Sequence, residues 1–173
     1  MTTPQDNSTI ETNTLPLLVF TIGEQLYGIP VTSIVRIIEM ITITQLPGAP
    51  DTIKGIINVH GNTVPVIDLR HRFKAPDQNY GLNTPIILVN TNGSEQILGL
   101  VVDSVSDVIH VPHNNLEMFE IVMPANLAEQ ITTRANYLAG ITKFEGQIIL
   151  ILNVKAILTH TEQADLSKAL DTQ

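Results

Sequence analysis

The chain carries one small unit twice. Gly55-Ile-Ile-Asn-Val-His-Gly-Asn-Thr-Val-Pro-Val-Ile-Asp-Leu69 aligns without a gap on Gly140-Ile-Thr-Lys-Phe-Glu-Gly-Gln-Ile-Ile-Leu-Ile-Leu-Asn-Val154, at an offset of 85. Upstream, Gly28-Ile-Pro-Val-Thr-Ser-Ile-Val-Arg-Ile-Ile38 aligns on Gly99-Leu-Val-Val-Asp-Ser-Val-Ser-Asp-Val-Ile109, at an offset of 71. The order of the blocks is the same in both halves. Short apolar runs separated by turn glycines, repeated in order, constrain the chain to two copies of one β unit.

Composition agrees. Hydrophobic residues make up 43%, aromatics only 4%, and Trp is absent. The core therefore rests on Ile, Val and Leu, which suit strands. A net charge of −8 disfavours binding to nucleic-acid phosphates or to an anionic membrane surface. With no cysteine, disulfides, thiolate metal sites and cysteine nucleophiles are all excluded. Residues 1–14 are polar and lack the basic and apolar regions of a signal peptide, and no apolar run is long enough to span a bilayer. The reading is a cytoplasmic protein with a disordered tail over 1–14.

Along the chain, Leu17–Ile22 and Gln25–Ile29 predict a hairpin about Gly23-Glu24. Pro30–Ile38 predicts a short helix capped by Thr32 or Ser33, and its copy Val101–Ile109 a second one capped by Asp103. Glu39–Leu46 predicts a strand, and Leu46–Pro50 a loop. Ile56–Val59 and Thr63–Ile67 predict a second hairpin, with Gly61 supplying the left-handed turn residue. Asp68–Phe73 predicts a helical turn, and 74–83 a linker between the halves. Pro85–Asn90 and Gln96–Leu100 then flank an Asn92-Gly93 turn, and Gly140–Phe144 and Gln147–Leu152 flank Glu145-Gly146. The second copy is longer by 14 residues between about 111 and 139, read as a loop plus a strand. Residues 154–170 predict a closing helix, with Val154, Ile157 and Leu158 at helical spacing.

No arrangement of residues points to catalysis. Of the five histidines, only His110 and His113 are close in sequence, and Pro112 between them breaks a helical pair; a zinc site needs three or four converging ligands. Phosphate-binding glycine loops and nucleophile elbows are absent. Asp103 and Asp107 are four apart, a spacing that solvated caps explain better than a carboxylate pair. No metal, cofactor or catalytic residue is assigned.

At this point the residues resemble a known family. Leu18-Val-Phe-Thr-Ile-Gly, Tyr27-Gly-Ile-Pro-Val31, the run from Pro47 through Gly55-Ile-Ile-Asn58 and Gly61 to Pro65-Val-Ile-Asp68-Leu69, Gly99-Leu-Val-Val-Asp103 and Leu138-x-Gly140-Ile are similar, in order, to the chemotaxis coupling (CheW-like) family. The resemblance covers about 15–160. It implies an all-β fold with short helices: two pseudo-repeated, intertwined five-stranded SH3-like barrels (repeat 28–69 and 99–154) plus a C-terminal helix, with 161–173 as helix end or tail. It implies no enzymatic activity. It implies an adaptor, found at membrane receptor arrays by association, that bridges the cytoplasmic tip of a methyl-accepting chemoreceptor to the regulatory domain of a CheA-type histidine kinase, with flagellar or type IV pilus output. It also implies assembly in rings with other CheW-like domains.

Transferred onto this chain, the kinase-binding positions are Val35, Ile37, Glu39, Met40, Leu152 and Leu158. The receptor-binding positions are Val35, Ile38, His60, Ile86 and Leu88. Two positions depart from the family pattern: His60 stands where it has Arg, and Ile37 where it has Glu, so the family's ion pair is missing and Arg36 with Glu39 is the candidate substitute rim. Asn153 stands where Asp68 stands in the first copy, and turn capping by an uncharged residue is expected there. Two competing readings are a ring-filling paralogue that binds the kinase but not receptors, and an enzyme with an unrecognised site.

Overall fold

A computed structural model describes residues 13–76, 79–91, 96–118 and 137–171. Among these residues there are eleven strands: β1 (Thr14–Ile22), β2 (Gln25–Pro30), β3 (Ile34–Glu39), β4 (Ile53–Val59), β5 (Asn62–Asp68), β6 (Pro85–Asn90), β7 (Ile97–Val101), β8 (Ser104–Pro112), β9 (Leu116–Met118), β10 (Leu138–Phe144) and β11 (Gln147–Leu152). Among the described residues two α-helices, α1 (Leu69–Arg72) and α2 (His160–Asp171), accompany them. Of the expected tail over 1–14, residues 1–12 lie outside the described residues, whereas Thr14 already opens β1; the Asn92-Gly93 turn and residues 119–136 of the insertion also lie outside them.

The strands form two sheets that exchange parts. One has the order β3-β6-β7-β5-β4, the other β8-β1-β2-β11-β10-β9. The first barrel thus takes hairpin β6–β7 from the second half of the chain, and the second barrel takes β1–β2 from the first half. The repeat survives at the level of register. Val66 pairs with Gly99 across the parallel β5–β7 contact, and Ile151 with Gly28 across β11–β2. These are the same positions in the two copies. A register shift between Ile53 and Gly55 in β4 recurs between Leu138 and Gly140 in β10. Strand β9, from the longer second copy, adds a sixth strand to the second sheet.

Exchange explains why β1 and β6 are apolar without alternation. Each lies between two cores, and successive side chains point to opposite faces. In β6, Ile86 and Leu88 fill the first barrel, while Ile87 and Val89 enter the core between the barrels. In β1, Leu17 fills the second barrel, while Leu18 and Phe20 enter the shared core. Four aromatic rings gather in that shared core. Phe20, Tyr27 and Phe73 stack at centroid distances of 5.8 and 5.1 Å, and Tyr137 follows at 6.2 Å.

Three expectations are corrected. Pro30–Ile38 and Val101–Ile109 are not helices: a 3-10 turn at Val31–Ser33 leads into β3, and β8 starts at Ser104. The run Ile34-Val-Arg-Ile-Ile38 is mostly β-branched, and its side chains fit a pleated edge better than a helix. Nor does Glu39–Leu46 continue as a strand. It runs on with a single bridge, Thr44 to Ile56, beside Gly55, where a Cβ would overlap the Thr44 carbonyl oxygen. The closing helix also begins later than expected, after a 3-10 turn at Val154–Ala156.

Candidate partner-docking surface

Among the described residues, strand β3 is the edge of its sheet and pairs only with β6. No other described strand pairs with it, and a bulge between Ile34 and Arg36 turns consecutive side chains outward. Val35 is 52% exposed, Ile37 42% and the following Ile41 40%. Glu39 is also exposed, whereas Ile38 and Met40 are half-buried against the first barrel's core. Apolar side chains clustered at a free sheet edge are the usual mark of a partner surface.

At one end of this surface Arg36 and His60 meet. Arg36 Nη1 lies 2.7 Å from His60 Nε2. A guanidinium only donates, so Nε2 accepts and the ring proton sits on Nδ1. His60 is held there by the β4–β5 turn, where both His60 and Gly61 have positive φ (51° and 85°), as a tight hairpin turn requires. Arg36, expected with Glu39 as a substitute rim, meets His60 instead; among the described residues no polar contact joins Glu39 to it.

Four of the transferred positions offer no surface. Ile86 (0% exposed) and Leu88 (2%) are inside the first barrel, and Leu152 (2%) and Leu158 (6%) are in the shared core. Their side chains are enclosed because β6 and β11 are central strands and Leu158 packs where α2 begins. Of the positions transferred onto this chain, Val35, Ile37, Ile38, Glu39, Met40 and His60 remain at or near the surface.

Polar contacts hold the barrels in fixed relation behind it. Asp68 caps α1 by accepting from Arg70 N at 2.9 Å, and also accepts from Arg70 Nε at 3.3 Å and from the Tyr80 hydroxyl. Arg70, 5% exposed, reaches Asp103 at 3.4 Å. Asp103 in turn accepts from Gly23 N in the β1–β2 turn at 2.6 Å. The network therefore spans both barrels. Burial, then the bond to Asp68, pushes the Tyr80 hydroxyl up to about 12. Asp103 was expected as a helix cap; it serves this brace instead. Asn153, at the place of Asp68 in the second copy, makes no side-chain cap bond.

Helix α2 is fastened by a capping box. Thr159 Oγ1 accepts from Glu162 N at 3.2 Å, and Glu162 Oε2 accepts from Thr159 N at 3.0 Å. Arg72 donates to both oxygens of Glu162 at 2.7 and 3.1 Å and to the Ile157 carbonyl at 2.8 Å. A cavity of about 450 Å³ lies between α2, β5 and the start of β7. Among the described residues no group of three or more His, Cys, Asp or Glu is placed to hold a metal, and no helix is long and apolar enough to cross a membrane.

A CheW-like domain family model matches residues 16–162. The chain is similar to the chemotaxis protein CheW of Klebsiella aerogenes, with 31% identity over 147 residues, covering 85% of this chain and 83% of that protein. It is also similar to CheW of Bacillus subtilis, with 30% identity over 142 residues, covering 82% and 85%. Among solved structures, the scaffolding protein TtCheW from Thermoanaerobacter tengcongensis superposes with a TM-score of 0.74 at 30% identity, covering 86% of this chain and 95% of that one. With the exchanged barrels and the register repeat, these matches show that the chain belongs to the CheW-like domain family.

Proposed function

We propose that this chain is a non-enzymatic adaptor that couples the cytoplasmic tip of a chemoreceptor to a CheA-type histidine kinase in bacterial chemosensory signalling. The observation that carries the reading is the open edge of β3, with Val35 and Ile37 exposed on it. Kinase contact falls on Val35, Ile37, Glu39 and Met40, and receptor contact on Val35, Ile38 and His60. The relatives named above are chemotaxis and scaffolding proteins, which supports an adaptor over an enzyme. Work at the cytoplasmic face of a receptor array follows from that role.

Calorimetry with the CheA-type regulatory domain and a receptor-tip fragment from the same organism tests the reading. Binding to both is expected. Binding to the kinase domain alone would make the chain a ring-filling paralogue, and binding to neither would overturn the proposal.

A further inference from the structure

Three arginines lie among the described residues, and they differ in what they meet. Arg70 and Arg72 are enclosed and paired with carboxylates, Arg70 with Asp68 and Asp103, Arg72 with Glu162. Arg36 is exposed, and its one polar contact among the described residues is to His60. That bond uses one of the five N–H donors of a guanidinium. The charged residues of the neighbouring strands do not take up the rest. In β3, Glu39 makes no ion pair with it; in β4, Lys54 lies over the Tyr80 ring. In β5, Asp68 is taken by Arg70 and Tyr80, and β6 carries no charged residue.

Register decides which partner meets this cation. Arg36 pairs with Leu88 and Ile38 with Ile86, with no shift between them, so Arg36 and Ile38 share one face of β3. Ile37 and Glu39 share the other. Arg36 therefore stands with Ile38 and His60, the residues of the receptor contact, at the mouth of the first barrel. A partner that covers Ile38 and His60 covers the guanidinium as well. Stripping its water without supplying a counter-charge is costly, so a fitting partner brings an acidic group there. The planar fork suits a carboxylate, which accepts two parallel bonds. His60 sets the direction of the fork. Its backbone is held in the left-handed turn (φ 51°), and its Nε2 anchors Arg36 Nη1 at 2.7 Å.

We propose, resting on the receptor contact put forward above, that Arg36 selects the receptor tip by pairing with one of its carboxylates. His60 is the positioning residue that aims Arg36. The tip that this chain recognises thus carries an acidic side chain beside the apolar ones that meet Val35 and Ile38.

Calorimetry of the full chain with a receptor-tip fragment and with the CheA-type regulatory domain of the same organism tests this. Arg36→Gln and Arg36→Glu should each weaken receptor binding about tenfold or more, with the loss confined to the receptor fragment. The acidic residues of the fragment are then changed to Lys one at a time. One such fragment should lose wild-type binding and bind Arg36→Glu about tenfold or more tighter than the unchanged fragment does. His60→Asn keeps a residue that tolerates the left-handed backbone but removes the imidazole. In that background the loss caused by Arg36→Gln should shrink; a loss of full size would overturn the role of His60. Wild type that binds the tip no better than Arg36→Glu does, or a fragment series without rescue, would overturn the carboxylate pairing alone. So would an equal loss towards the kinase domain. Wild type that does not bind the tip at all would overturn the receptor contact, and the pairing with it.

Discussion

Tyr80 shows how one side chain ties the architecture to a measurable quantity. Its hydroxyl donates to Asp68, which also receives Arg70. Removing it with Tyr80→Phe should cost about 1.5–3 kcal/mol in chemical denaturation, the range for a bond to a charged acceptor. The pH dependence has a defined sign. The hydroxyl ionises at about 12 in the folded protein against 10.0 ordinarily, so the unfolded chain loses its proton first. This contribution is fully present below pH 10 and is lost as pH rises towards about 12. The difference in stability between wild type and Tyr80→Phe should shrink over that window; a constant difference would contradict the assignment. None of this was legible in the sequence, because Tyr80 lies in a stretch read as linker and Asp103 is 33 positions from Arg70. The meeting of Arg36 and His60, 24 positions apart, was foreshadowed only by the family resemblance, which marked both neighbourhoods.

At the scale of elements, hairpins were read well and the segments after them poorly. Turn glycines and apolar runs are local signals, and they placed β1–β2, β4–β5 and β10–β11 within a few residues. The supposed helices at 30–38 and 101–109 failed because Thr, Ser and Asp favour any chain turn, not only a helix start. Here Thr32 and Ser33 sit in a 3-10 turn, and Asp103 in the inter-barrel brace. The capping box Thr159-x-x-Glu162 was a legible signal that went unread, and it would have put the helix start six residues after Val154. Glu162 serves both this cap and Arg72, whose bidentate pair is largely enclosed (side-chain exposure 7% and 19%). Arg72→Ala should therefore destabilise by about 2–3 kcal/mol, and Thr159→Ala by about 1 kcal/mol. A double-mutant cycle of Arg72→Ala with Glu162→Ala should show coupling of about 1 kcal/mol or more. Additive effects in urea unfolding would mean that the pair does not fasten α2.

For the whole molecule, the duplicated sequence announced two similar β units, but periodicity alone did not say that they exchange hairpins. Local pattern fixes strands, whereas which strands pair depends on contacts far apart in sequence. The exchange has a consequence. The first half alone would hold β1–β2 without the second barrel, and β3, β4 and β5 without the hairpin that completes the first. Halves divided within 77–78 should each lack a cooperative thermal transition, and should regain one when co-expressed. Independent folding of either half would contradict the pairing of β5 with β7 and β11 with β2.

The central claim is that the β3 edge links receptor and kinase. The direct measurement is the phosphorylation rate of the CheA-type kinase with receptor fragment, adding wild-type protein or Val35→Asp. Val35 is exposed, so Val35→Asp should leave the unfolding free energy within about 0.5 kcal/mol of wild type, while weakening binding about tenfold or more. The account predicts that receptor control of the kinase appears with wild type and is lost with Val35→Asp. Receptor control of equal strength with both proteins, or with neither, would contradict it.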